Sequence, residues 1–462
     1  MTNGLFLYHR DFRLIDNKAL LNAEKMCKKI YTCFIFTNEQ VKKNKFKSEN
    51  SVQFMIESLE DLQDAIKNDG GKLLLFHGNN IDILKELFKI LNIDILFFNE
   101  DYTPYAKERI DKIKNLCKKN DVECETSHDY YITEPGTVIN KSGTPYVRFN
   151  SFYESVFLEH EFQPPNKKKI TKLASTTKSL DNAISLKDAL STFVRTPNEN
   201  LAVHGGRKLA EKHLRDAVKN MGDYKSSRDD MSQETSMLSA YIKYGCLSIR
   251  EVVNRFRVKF TPHHELIRQL VWRDFYMHIL HSHPDSLGNL HDKKMQKIVW
   301  SKKKSYLEAW KLGKTGFPLV DAGMRQMNET GYMHNRARML VASMLAKIFF
   351  IDWREGEKYF AQQLVDYDVA SNSGNWQAVV GGGVYSMPWF RILSPWAQSE
   401  KNDVDAEYVK RWVPELKYIS NKHIQKWYKY YKKHPDCGYN KPIVDFDKKR
   451  EEYMSKMKNY LQ

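Results

Sequence analysis

The chain has 462 residues, 42% hydrophobic and 28% charged, with a formal net charge of +16; that is too long for one ordinary core and too apolar for a disordered chain, so two globular domains are expected. The positive balance favours a polyanionic partner, nucleic acid or an anionic membrane surface. Six cysteines without C-x-x-C spacing argue against a zinc ribbon, an iron–sulfur cluster or a disulfide framework, and neither a signal-like start nor eighteen consecutive apolar residues occur, so a soluble intracellular protein with no membrane span is expected.

In the first third, short apolar runs alternate with amphipathic ones. Leu5–Tyr8, Tyr31–Phe36, Lys72–Phe76 and Asp94–Phe98 are predicted as buried strands, with Val122–Thr126 a weaker fifth. Helical periodicity occupies Asn17–Lys28, Asn50–Lys67, Ile81–Leu91 and Tyr105–Lys118 between them. This alternation predicts a parallel, doubly wound, Rossmann-like sheet over residues 1–125. The first strand runs into His-Arg-Asp-Phe-Arg, however, and not into the glycine loop that lets a dinucleotide approach the first helix. Residues 126–200 have loop composition, with Pro164–Pro165 before a lysine run and Ser/Thr-rich Ala174–Ser179, and are predicted as an interdomain connector.

From 201 to 462 helical patterns dominate. Thr235, Ser236 and Ser239 cluster at a predicted helix start, where hydroxyls cap orphan amides and the same amides can hold phosphate. Gln269, Trp272 and Arg273 share one helical face, as do Asn335, Arg338 and Met339. Arg338 in an apolar helix needs a carboxylate, and Asp366 or Asp368 is the candidate. The stretch D-Y-D-V-A-S-N-S-G-N-W, Asp366–Trp376, has asparagines, serine and glycine in a row and is predicted as a functional turn or loop, not a continuing helix. His263–His264 and His278, His281 and His283 lack matching carboxylate or cysteine spacing, so surface or capping roles are expected and no metal site.

These segments resemble the photolyase/cryptochrome family. H-R-D-F-R-L-I-D-N-K-A-L, T-S-M-L-S-A-Y-I-K-Y-G-C-L-S, V-W-R-D-F-Y, K-T-G-F-P-L-V-D-A-G-M-R-Q-M, M-H-N-R-A-R-M, D-W-R-E-G-E and D-Y-D-V-A-S-N-S-G-N-W follow in the family's order from Gly4 to Val413–Leu416. The resemblance implies an α/β antenna domain and an all-α C-terminal domain binding a U-shaped FAD. It implies that Tyr224, Thr235, Ser236, Leu238 and Ser239 hold the FAD phosphates and ribityl region, with Arg273 beside the phosphates or isoalloxazine edge. Arg338 would pair with Asp366, Asp368 would contact the pyrimidine-like ring, and Asn372 would face the reactive central-ring nitrogen. Trp376, Trp353 and Trp300 occupy the positions of the electron-transfer chain. The partner implied is UV-damaged DNA, gripped by Arg336 and Arg391, with a flipped dimer between Gln269, Trp272, Asn335 and Met339; a monomer is expected. Excited reduced flavin would donate one electron, the cyclobutane ring would open, and the electron would return.

Asn335 and Met339 stand where (6-4) photolyases carry two histidines, so the resemblance is to cyclobutane-dimer enzymes. Three positions depart from that pattern. Gln269 replaces a glutamate that bonds the dimer, Ala378 replaces a second stacking aromatic that Trp389 or Trp396 would have to supply, and Met237 replaces an arginine near the phosphates. A cryptochrome-type photoreceptor is the alternative from the same family, disfavoured by the short chain after the family core. The residues alone also admit a third class, Asp366 and Asp368 as metal ligands in a basic nuclease. The positions around Tyr102–Arg109 do not identify the folate-binding type, so the antenna chromophore is left open as a folate, a deazaflavin, a flavin or none.

Overall fold

The computed structural model describes residues 2–42 and 44–461, so Met1, Lys43 and Gln462, which the expected domain limits include, lie outside the described residues. The predicted strands form one parallel sheet from β1 (Asn3–Tyr8), β2 (Lys29–Phe36), β3 (Leu73–His77), β4 (Ile95–Asn99) and β5 (Glu123–Ser127), in the order β3-β2-β1-β4-β5. Leu5 pairs with Tyr31 on one side and Leu96 on the other, and β1, β2 and β4 are almost wholly buried. Strands covered on both faces read as continuous apolar runs, which is why four of them stand out in the sequence. β5, at one edge, is partly exposed and polar.

The crossover helices are α1 (Lys18–Met26), α2 (Glu49–Asn68), α3 (Asn80–Leu91) and α4 (Pro104–Lys119). Asn17, Ser48, Asn79 and Thr103 cap them through side-chain oxygens, and Pro104 opens α4. Where a glycine loop would follow β1, a buried polar cluster stands instead. Asn99 donates to Asp11 at 2.5 Å and to Asn17 at 2.8 Å, Arg13 pairs with Asp129, and Arg250 reaches Asp16 at 2.9 Å and Asp129 at 2.6 Å.

The connector corrects the sequence-based expectation in one respect. Its loop composition hides two helices, α5 (Phe149–Glu159) and α6 (Leu186–Phe193), the first built from aromatics and the second capped by Ser185. The segments around them line the sheet, Ala174 donating to the Ile30 carbonyl at 2.8 Å and Ile184 to that of Leu75 at 3.0 Å. Backbone groups that find strand partners need no apolar pattern, so composition alone did not reveal them.

The chain divides into two compact units. The first comprises residues up to Asn198 together with Val203–Gly222 and Ser236–Pro284, and so includes α7 (Arg207–Asn220), α8 (Ile249–Lys259) and α9 (Glu265–Ser282). The second comprises Glu199–Ala202, Asp223–Thr235 and everything from Asp285 onward. Its helices of eight residues or more are α10 (Lys304–Lys311), α11 (Pro318–Thr330), α12 (Asn335–Ser343), α13 (Trp353–Gln363), α14 (Val369–Val380), α15 (Pro395–Asn402) and α16 (Phe446–Leu461). Their core gathers Trp310, Trp353, Trp376 and Trp427 with methionines of α11 and of the turn after α12. No helix is long and apolar enough to cross a membrane among the described residues.

Candidate functional site

The stretch predicted as a loop, Asp366–Trp376, is mostly helix. Asp368 caps α14 by accepting the Ser371 amide at 3.0 Å, and Gly381 closes the helix with φ of 101°. Its polar residues are held inside the helix: Asn375 bonds the Ser371 carbonyl at 2.7 Å, and buried Ser373 accepts from Gln377 at 3.1 Å. Side-chain bonds to the preceding turn satisfy groups that favour turns in isolation, and packing of Trp376 and Val379 supplies the remaining drive.

One face of α14 and the facing side of α12 enclose a hollow of about 570 Å³, solvent at its mouth included. Asn335, Arg338, Met339, Asp366, Asp368, Asn372 and Trp376 all line it. Phe360, Leu364 and Val379 supply an apolar wall, so the lining offers a flat hydrophobic surface with polar groups at its edge. The buried indole N–H of Trp376 has no hydrogen-bond partner among the described residues. This donor set fits a large, flat, heteroatom-edged ring.

The expected partner of Arg338 is Asp366. One guanidinium nitrogen of Arg338 reaches both carboxylate oxygens, at 3.1 and 3.0 Å, and its Nε donates to the Met333 carbonyl at 2.8 Å. Burial alone would lower the Arg338 pKa; the Asp366 carboxylate raises it above the ordinary value. The Tyr332 ring lies 5.3 Å from the same guanidinium, and its hydroxyl is 2.7 Å from Thr235 Oγ1. His334 caps α12 through the Arg336 amide, and burial with the Arg338 and Arg336 charges pushes its pKa down to about 4, keeping it a neutral acceptor.

Asn372 is anchored by a residue that sequence reasoning missed. Its Nδ2 lies 3.4 Å from both the carbonyl and the Oε1 of Glu357, a buried residue of α13 that also accepts from Tyr367 at 3.3 Å. The second glutamate of D-W-R-E-G-E, one turn after Trp353 on the same helix, was the available signal. Trp376 and Trp353 are buried and Trp300 is half-buried. Trp376 packs edge-on to Phe360 at 5.0 Å and to Trp310 at 6.3 Å, while Trp300 lies 5.2 Å from Phe350. Trp310 was also missed, being one tryptophan among nine with no motif around it.

The remaining candidates are distributed over both units. Arg336 is held by Asp229, Nε at 2.7 Å and the terminal nitrogen at 2.6 Å, while Arg391 is exposed. Lys347, in the π-helical turn Met344–Ile348, is buried and donates to the carbonyls of Trp389 and Arg391, both at 3.0 Å. Trp396 packs against Phe317 at 5.2 Å and Tyr428 at 4.8 Å. Tyr224 opens a four-residue helix. The helix expected after Thr235 is Ser239–Lys243, only five residues; its cap is Leu238, whose apolar side chain can make no capping bond, and Met237 before it takes a left-handed φ of 52°. The expected hydroxyl cap is therefore corrected. On α9, Gln269 donates to Glu265 at 3.1 Å, Trp272 stacks flush on Phe149 at 3.5 Å, and Arg273 bonds the Tyr130 carbonyl at 2.7 Å over the Tyr131 ring. His278 of this helix is buried against Thr133, at 2.9 Å, and not at the surface as expected. No group of three or more metal-ligating side chains occurs among the described residues.

Comparison with known proteins bears on this geometry. Residues 5–170 match the family model described as DNA photolyase, and 266–459 that of the FAD binding domain of DNA photolyase. The deoxyribodipyrimidine photo-lyase of Alkalihalophilus pseudofirmus is 31% identical over 97% of this chain and 96% of its own. An archaeal photolyase from Sulfolobus tokodaii, solved with two FAD molecules, is 35% identical, covers 99% of this chain and 100% of its own, and superposes with a TM-score of 0.88. A Synechocystis cryptochrome does so with 0.90 at 26% identity, covering 98% and 99%. With a helical FAD-binding half, a five-stranded α/β half and relatives that match end to end, the chain belongs to the photolyase/cryptochrome family of FAD-binding flavoproteins.

Proposed function

We propose that this protein is a deoxyribodipyrimidine photo-lyase that splits cyclobutane pyrimidine dimers in DNA under light. The supporting observation is that Asn335 and Met339, in place of two histidines, line the same hollow as Asp368 and Asn372. Relatives named deoxyribodipyrimidine photo-lyase at 31% identity, from Alkalihalophilus pseudofirmus among others, point the same way. In this reading residues 1–125 form the antenna domain, 126–200 the connector and 201–462 the FAD-binding domain of a soluble, intracellular monomer.

The chemistry that a bound, reduced and photo-excited FAD would supply is single-electron transfer to the dimer, the electron being returned after the ring opens. The chain's own residues bind and orient. The Arg338–Asp366 pair fixes the polar edge of the hollow, Asp368 lines it while capping α14, and Glu357 holds Asn372 in register. Tyr224, Thr235, Ser236, Leu238, Ser239 and Arg273 hold the phosphate and ribityl parts. Gln269 and Trp272 receive the flipped dimer, Glu265 placing a carboxylate beside Gln269 where that residue lacks its own. Arg336 and Arg391 take phosphates, Arg336 exchanging Asp229 for them. Trp300, Trp353 and Trp376 would pass electrons from a reductant in solution to a bound flavin.

Irradiating reduced protein with a dimer-containing oligonucleotide tests the reading: restored thymines support it. Gln269, Ala378 and the similarity to a cryptochrome favour one other reading, a blue-light photoreceptor. That reading gains if no thymine is restored while the flavin is fully reduced.

A further inference from the structure

Between Lys410 and His434 the chain carries eight lysines and arginines and a single carboxylate, Glu415. Glu415 is consumed by Arg325 at 2.7 Å, outside the segment. Lys426 pairs with Glu400 at 3.2 Å and Lys410 with the Asn421 amide oxygen at 2.7 Å. Arg411, Lys417, Lys422, Lys429, Lys432 and Lys433 are exposed, and among the described residues none makes an ion pair. Several are held over rings: Arg411 over Trp412 at 5.3 Å, Lys417 over Tyr418 at 5.6 Å, Lys429 over Tyr428 at 5.5 Å and Lys433 over Tyr430 at 5.5 Å. Tyr418 is 90% exposed. The segment is locally rigid, with Ile424 and Trp427 buried and the Trp427 indole bonded to the Asn440 carbonyl at 2.8 Å.

We propose that this surface is a second DNA contact, separate from the hollow, that binds the phosphate backbone irrespective of sequence or damage. Unpaired cations cost self-repulsion, which a line of phosphates relieves by releasing condensed counterions. Interleaved tyrosines offer rings to unstacked bases. An anionic membrane would also attract the charge, but interfacial binding needs an apolar face to insert. Here the two helices, Asn421–Gln425 and Trp427–Tyr430, are five and four residues long, and their large aliphatic and indole groups, Ile424 and Trp427, face the core.

The test measures binding of the whole flavoprotein to undamaged duplex, in the dark, across a salt series from about 50 to 200 mM. Replacing Lys417, Lys422, Lys429, Lys432 and Lys433 together by glutamine is expected to flatten the slope of log K against log salt by about 0.9 for each phosphate no longer neutralised. The flavin spectrum and melting temperature of the variant verify that it is folded, since all five side chains are exposed. An unchanged slope and affinity overturns the proposal. So does a variant that loses binding to phosphatidylserine vesicles while its DNA slope stays that of the parent. Because the DNA is undamaged and no light is used, either failure is separable from a failure of dimer repair.

Discussion

Arg338, with 24% of its side chain exposed, faces Asp366, with 7%, at the edge of the hollow. Asp366→Asn keeps the shape and removes the charge, leaving a mostly buried cation unpaired. Because Arg338 is partly hydrated, the expected loss is at the low end for broken buried pairs, about 2–3 kcal/mol, read from urea unfolding. Arg336, two positions earlier on α12, behaves in the opposite sense. Asp229→Asn releases Arg336 from its 2.6 Å ion pair and is expected to tighten DNA binding in the dark, steepening the salt slope by about 0.9. A parent-like slope would mean that Arg336 does not reach phosphate. Gly356 has a steric reason to be glycine. A Cβ there would lie 2.2 Å from the Trp376 ring and 2.5 Å from Leu345, so Gly356→Ala should displace the tryptophan or cost about 1–3 kcal/mol by overpacking. Flash spectroscopy of the variant would read the first outcome as slowed flavin reduction, and thermal melting the second.

Among the elements, strands were the most legible from sequence, because β1, β2 and β4 are buried on both faces and have no polar alternation to confuse them. α14 was the least legible. Asn372, Ser373, Gly374 and Asn375 favour turns by propensity, and only tertiary packing around Trp376, with the Asp368 cap, makes them helical. The side chains of the hollow were legible where a charge demanded a partner, as with Arg338 and Asp366. They were not where a neutral amide found its partner across a helix pair, as with Asn372 and Glu357. The π-helical turn Met344–Ile348 left no sequence signature either, yet it places Lys347 under the Trp389–Arg391 segment. Burial, with the Arg391 charge, pushes the Lys347 pKa down to about 7. The folded state therefore sheds this proton near neutrality while the unfolded chain keeps it to about 10.4, so stability rises as pH rises through that window. Lys347→Met should remove the gain, and denaturation midpoints at pH 7 and 9 for parent and variant would show whether the slope belongs to this residue.

At the scale of the whole molecule, response to acid is set by the cluster that replaces a glycine loop after β1. Burial would raise the Asp129 pKa, but Arg13 and Arg250 hold it down to about 2. Its stabilisation is fully present above the ordinary carboxylate value and is lost as pH falls through about 2, amounting to about 2 kcal/mol. Asp11 acts with the opposite sign: burial raises its pKa to about 6, so the folded state gains stability as pH falls from there towards the unfolded value of 3.8. From these two groups a gain in stability as pH falls from about 6 towards 4, then a loss of similar slope towards 2, is expected, and Asp129→Asn should abolish the loss in pH-dependent melting. Domain class and family were legible in the spacing of whole motifs over nearly the entire chain, whereas the partition of α7, α8 and α9 into the first compact unit was not, since helix pattern says nothing of which core a helix joins.

All of this converges on one reaction. Reduced, flavin-loaded protein mixed with an oligonucleotide carrying a single cyclobutane thymine dimer, then illuminated, is expected to restore two intact thymines, with no product in the dark and none from a (6-4) lesion. Dimers left intact under light while the flavin stays fully reduced would contradict it.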